Sequence, residues 1–312
     1  MRLVHSSDLP PRTPANFGAL LETVSASSLQ AWVERIAVPR NFFAQRESNR
    51  ATARWLLNEL GAWGYQVQIH GPFENIVALP PKHPAKLILV GAHYDTVPQT
   101  PGADDNGSAV AALLACAQAL ARCAPSAPVC FVAFNGEENE LIGSKDFVKN
   151  FLPQADFEIV EAHVLEMVGF ASAAPGSQKT PTALPIRIPD RGDFLGLLAN
   201  RDSGAMLDSV LTQARTYLPA FRTIGLEVPL GGEKVFPVLA RSDHVPFWNQ
   251  GIPALMWTDT SEFRNPNYHR PTDTPDTLDY SFLRNVAQLL VACVAEQASL
   301  GSSTEALRTA PK

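Results

Sequence analysis

Apolar residues fall into two kinds of pattern along the chain. Leu20 to Ile36 and Glu47 to Leu60 repeat apolar positions with a helical period, and Gly61 is placed to end the second helix. Tyr65-Gln66-Val67-Gln68-Ile69 alternates, as a half-exposed edge strand does, and Asn75 to Leu79 reads as its neighbour. Leu87 to Ala92 and Val129 to Phe134 are short, unbroken apolar runs of the sort found in strands covered on both faces. Phe157 to Leu165 and Ile252 to Trp257 supply a third and a fourth such strand. Between them Gly107 to Ala121 is alanine- and leucine-rich and reads as a helix with Asn106 near its start. The last long helix spans about Ser281 to Ser299.

Buried strands alternating with helices define an α/β protein with a mixed, mostly parallel central sheet flanked by helices. One stretch breaks the rhythm. Ala171 to Pro189 is rich in Pro, Ser, Thr and Ala and has no period. The segment from there to about Phe236 is expected to form a crossing helix (Gly192 to Ala214) and a loop-rich cover. Long loops of this kind act as lids or binding loops, so residues 171–236 are the expected specificity segment within a single domain covering 1–312. The pair Gly231-Gly232 reads as a turn, since no strand–glycine-loop–helix pattern surrounds it.

Composition narrows the function classes. At 312 residues with 46% hydrophobic and 18% charged residues, the chain can build a large core without metal or disulfide staples. Its 31 acids outweigh 25 bases, a net charge of −6, which argues against a nucleic-acid partner. No run approaches the roughly 18–20 apolar residues of a membrane span, nor is there an apolar leader near Met1. Cys116, Cys123, Cys130 and Cys293 show no metal-type or framework spacing and read as free thiols. A cytoplasmic location is the resulting expectation; oligomeric state is not legible.

Chemistry-bearing residues gather where the buried strands end: His93-Tyr94-Asp95, then Ala103-Asp104-Asp105-Asn106, Gly136-Glu137-Glu138, Leu165-Glu166-Met167, and Asn267-Tyr268-His269-Arg270. Carboxyl ends of parallel strands line one crevice. Several carboxylates crowded there cannot all stay charged unless a cation joins them. Two histidines and three carboxylates suit zinc; they exceed what one tetrahedral catalytic zinc needs, and match two metals sharing a carboxylate.

In this order the motifs resemble those of the M28 family of co-catalytic zinc exopeptidases, from about residue 50 to the end. The resemblance implies a zinc-exopeptidase (phosphorylase/hydrolase-like) fold and two zinc ions. His93 and Glu166 would hold one, Glu138 and His269 the other, with Asp105 bridging. Asp95 would accept the second imidazole N–H of His93, and Glu137 would serve as general base toward a metal-bridging water. The family also implies a cis peptide bond between Asp105 and Asn106. Ala109 stands where many members have glycine, and Glu166 where Asp is common. The activity implied is removal of N-terminal residues from a peptide or dipeptide with a free N-terminus.

Other residues carry two readings each. Arg241 and Asp243 either approach substrate and orient site groups or form a capped turn with a surface arginine. Tyr268, Phe170, Trp257 and Phe263 either line an apolar pocket or belong to the core. Asp104 reads as an ordinary helix-start acid and His163 as structural. The competing activity is glutaminyl-peptide cyclotransferase, which uses a similar scaffold with a single zinc; Asn106 and the Tyr268-to-Thr274 segment favour the peptidase. A catalytically dead binding module is opposed by the presence of Glu137 together with every ligand.

Overall fold

The computed structural model describes residues 1–181, 184–229, 231 and 235–300. Among these residues nine strands form one sheet: β1 (Arg2–His5), β2 (Gln66–His70), β3 (Asn75–Leu79), β4 (Lys86–His93), β5 (Val129–Phe134), β6 (Glu158–Glu166), β7 (Leu195–Asn200), β8 (Thr223–Val228) and β9 (Ala254–Thr258). Their spatial order is β1-β8-β7-β9-β6-β4-β5-β3-β2. The four central strands, β9, β6, β4 and β5, are mutually parallel. Antiparallel pairs join β3 to β5 and β7 to β9, so the mixed sheet is parallel at its centre.

Among the described residues the α-helices are α1 (Gly18–Glu22), α2 (Ala26–Ile36), α3 (Arg46–Ala62), α4 (Ala109–Cys123), α5 (Ile142–Asp146), α6 (Gly204–Tyr217), α7 (Val245–Asn249) and α8 (Tyr280–Leu300). Alanines along α4 let it lie close to the sheet and to α8, and residues 109–117, 119 and 120 are buried. The opposite face is filled by a second apolar cluster that includes Phe134, Phe147, Phe247 and Trp248. Among the described residues no helix is long and apolar enough to cross a membrane. All four cysteines are free thiols.

Several sequence expectations are corrected here. The continuous helix over Leu20 to Ile36 is two helices, broken where Ser25 caps α2 by accepting from the Ser28 backbone N–H at 3.1 Å. The helix expected over Gly192 to Ala214 is strand β7 followed by α6. Leu195-Gly196-Leu197-Leu198-Ala199 is a short apolar run, and such runs have no distinguishing period; pairing with β8 and β9 selects the strand. The cover expected to be loop-rich therefore contributes β7 and β8 to the sheet, and β1 pairs with β8 at the edge. Of the Gly231-Gly232 turn only Gly231 lies among the described residues, with φ of 76°.

Candidate metal centre

Parallel strands deliver the site. β4 ends at His93, β5 runs into Glu137 and Glu138, β6 ends at Glu166, and the loop after β9 brings His269. Asp105 comes from the wide turn before α4, where the Asp105–Asn106 peptide bond is cis. Between β5 and the two glutamates the chain reverses at Gly136, with φ of 71°; a Cβ there would stand 2.5 Å from the Ile142 side chain. Only glycine meets both conditions.

The two oxygens of Asp105 face different histidines: Oδ1 lies 3.4 Å from His93 Nε2, and Oδ2 lies 3.2 Å from His269 Nε2. Glu166 Oε2 stands 3.4 Å from His93 Nε2, and Glu138 Oε2 3.3 Å from His269 Nε2. Glu137 Oε2 is farther out, 3.9 Å from His93 Nε2. Donor atoms thus fall into two groups, His93 with Glu137 and Glu166, and Asp105 with Glu138 and His269.

His93 is almost wholly buried, yet neither ring nitrogen has a hydrogen-bond partner. Nδ1 faces Asp95 Oδ1 at 3.4 Å. Buried orphan nitrogens are costly, and a cation on Nε2 removes that cost. The donor set and the geometry both fit zinc.

Without a cation the cluster is balanced by protons. Burial opposes charge on His93, but Glu137, Glu166, Asp105 and Asp95 raise its pKa well above the usual value. Burial also opposes charge on His269, but Asp105 and Glu138 raise its pKa to about 10. Burial would raise Asp105, and the two histidines instead hold it well below the usual carboxylate range. Burial raises Glu138 to about 7, with Asp105 adding to the effect. Glu137 is raised well above its usual value by burial, with Glu166, Glu138 and Asp243 adding to it against the pull of His93.

A supporting layer fixes these groups. Asp95 accepts from the backbone N–H of Glu137 (3.1 Å) and of Glu138 (3.3 Å). Ser242 donates to Glu166 Oε2 at 2.6 Å. Asn106 donates to the Leu165 carbonyl at 3.0 Å and accepts from the Met167 N–H at 2.9 Å, bracketing Glu166. Asp273 accepts from the backbone N–H groups of Asp104 (2.9 Å) and Asp105 (3.1 Å).

Asp104 is not a surface helix-start acid: it is fully buried and accepts from Gly169 N–H at 2.9 Å and Asn265 Nδ2 at 2.6 Å. Its partners lie 65 and 161 residues away in sequence, so no local signal marks them. Ser242, Asp273 and Arg40 were likewise invisible as site supports. Arg40 is wholly buried and donates to the carbonyls of Tyr94 (2.6 Å), Pro101 (2.6 Å) and Gly102 (3.0 Å), bracing the loop between His93 and Asp105.

Tyr268 stacks on His269, ring centroids 3.8 Å apart, and its hydroxyl accepts from Arg241 at 2.9 Å. Arg241 is also paired with Glu262. Asp243 is fully buried, and burial raises its carboxyl to about 7. A cavity of about 550 Å³ opens beside the cluster, lined by Tyr268, Phe263 and Arg241, by residues of the cover segment such as Ile186, and by Leu239 just beyond it. Trp257 does not line it. Its ring lies in the helix-side core and donates to His163 Nδ1 at 3.2 Å. His163 is buried and bonded to Trp257 and Gln297, a structural histidine.

Fold and site together define an α/β protein with a cluster of histidines and carboxylates at the carboxyl ends of its central strands. Residues 75–187 and 204–294 match the model of Peptidase family M28. The chain belongs to peptidase family M28 and is a hydrolase acting on peptides.

It is 36% identical over 228 residues to an uncharacterized protein, YfbL, of Escherichia coli K12, covering 69% of this chain and 68% of that one. It is 30% identical over 219 residues to aminopeptidase YwaD of Bacillus subtilis, covering 69% of this chain and 42% of that protein. LapA of Legionella pneumophila shares the fold, with TM-score 0.73, 19% identity, and 93% and 79% of the two chains covered. So does the glutaminyl cyclase of Porphyromonas gingivalis, with TM-score 0.67, 22% identity, and 88% and 99% covered. The B. subtilis zinc aminopeptidase BSAP aligns with TM-score 0.50 and 26% identity over 72% of this chain and 49% of that one.

Proposed function

We propose that the protein is an aminopeptidase that works with two zinc ions. One observation carries this reading: a single carboxylate, Asp105, presents one oxygen to each of two separate histidine–glutamate pairs. A single metal would use only one of the two histidine–glutamate pairs and leave the other without a ligand role. His93, Glu166 and Asp105 would hold one ion, and Asp105, Glu138 and His269 the other. Bound there, zinc would supply Lewis acidity toward water and toward the scissile carbonyl. Zinc is also what the similar B. subtilis aminopeptidase is described as using.

The chain's own groups do the rest. Glu137, set back from both pairs, takes the proton of the attacking water and passes it to the leaving amine. Asp95 fixes the backbone of Glu137 and Glu138, so base and ligand move as one unit. Because Arg241 donates to the Tyr268 oxygen, the phenolic proton is left free to donate to the substrate carbonyl. The acidic mouth of the cavity attracts the ammonium of a free N-terminus, which makes a peptide or dipeptide the substrate.

Elemental analysis of zinc-reconstituted protein tests the reading. The expected content is two zinc ions per chain, reduced by His93→Ala and by His269→Ala, with hydrolysis of aminoacyl amides. One ion per chain together with cyclisation of N-terminal glutamine peptides would replace it with the cyclotransferase.

A further inference from the structure

The cavity beside the cluster continues as a trough across four strands. Met256 lies opposite Leu198, Leu198 opposite Leu226, and Leu226 opposite Leu3. All four side chains line the cavity. With strands about 4.8 Å apart, this apolar row is about 14 Å long. One pleat nearer the metal-type cluster, about 7 Å away, the matching row is Thr258, Gly196 and Ile224.

Gly196 is where that upper row has no side chain. Its φ is not positive, so backbone conformation does not call for glycine. A Cβ there would stand 3.2 Å from the Thr258 carbonyl, 3.5 Å from the Thr258 methyl and 3.6 Å from the Thr260 methyl. Both threonines line the cavity, so a longer side chain at 196 would grow into the passage between the site and the deep row. Glycine inside a strand weakens it and often marks where a ligand approaches closely.

We propose that Gly196 sets the size of the side chain the site accepts, and that the preferred substrates carry a long apolar side chain on their N-terminal residue. The chain would pass over Gly196 and lie along the Met256-Leu198-Leu226-Leu3 row. This rests on the aminopeptidase reading. Charged side chains find no partner in the deep row, whose four members are all apolar.

The test uses zinc-loaded full-length protein and p-nitroanilides of alanine, norvaline and 2-aminooctanoic acid. Burial of each added methylene raises kcat/KM about fourfold, so the three that separate norvaline from 2-aminooctanoic acid amount to about sixtyfold. Gly196→Val removes that gain, so the ratio of kcat/KM for the 2-aminooctanoyl substrate to that for the norvalyl one falls toward one. Leu226→Trp, farther down the trough, does the same for the longest substrate and serves if the first variant does not fold. Calorimetric binding of 2-aminooctanoate against norvaline follows the same order without turnover.

No gain with length, or an unchanged length profile in both folded variants, overturns the assignment of Gly196 while the peptidase reading stands. If no aminoacyl amide is cleaved, the peptidase reading fails and the binding measurement alone decides the trough.

Discussion

Replacing Glu137 by Gln separates the two roles that its position allows. The side chain keeps its shape and loses its capacity to accept a proton. Glu137 is held by its backbone N–H on Asp95 at 3.1 Å, so the substitution leaves its location intact. Its Oε2 is 3.9 Å from His93 Nε2, while the nearest oxygens of Asp105 and Glu166 are at 3.4 Å, so it stands outside the inner set of donors. Loss of a general base costs about 10²–10⁴ in kcat, or about 3–5 kcal/mol of transition-state stabilisation. The expected result is a fall of that size in kcat on an aminoacyl amide, with KM within a few-fold and zinc per chain unchanged by elemental analysis. Turnover within tenfold of wild type would remove Glu137 from proton transfer. Loss of one zinc would make it a ligand, and the assignment of Glu166 would have to be reopened.

Two further outcomes concern the scaffold. Arg40→Met leaves the carbonyls of Tyr94, Pro101 and Gly102 without their buried donor and is expected to cost about 3–5 kcal/mol in urea unfolding of the zinc-free protein. A loss below about 1 kcal/mol refutes its bracing role. His163 is held neutral by burial, which lowers its pKa to about 4, so between pH 6.5 and 4 the unfolded chain takes up a proton that the folded one refuses. Stability therefore falls with pH across that window by about 3 kcal/mol from this group. His163→Asn should flatten the decline by that amount in urea unfolding at pH 7 and pH 4, and an unchanged slope excludes the assignment.

Much of the site is legible in the sequence because its chemistry sits at strand ends. An apolar run followed by His93-Tyr94-Asp95 or Gly136-Glu137-Glu138 announces both the strand and the polar group it exposes. The central strands were legible for the same reason, since burial on both faces demands unbroken apolar runs. Free thiols at Cys116, Cys130 and Cys293 likewise follow from their apolar surroundings.

Only tertiary structure decided the rest. Leu195 to Ala199 carries no period that separates strand from helix, and its partners β8 and β9 settle the matter through hydrogen bonds that local sequence does not encode. Asp104, Asp273 and Ser242 take their roles from neighbours distant in the chain: the first two stand inside recognisable motifs, yet the sequence does not say which groups they hold. The trough is the same kind of fact: Leu3, Leu198, Leu226 and Met256 belong to four separate strands. Hydrophobic periodicity reports which side chains leave water, whereas register and crossover determine which of them meet.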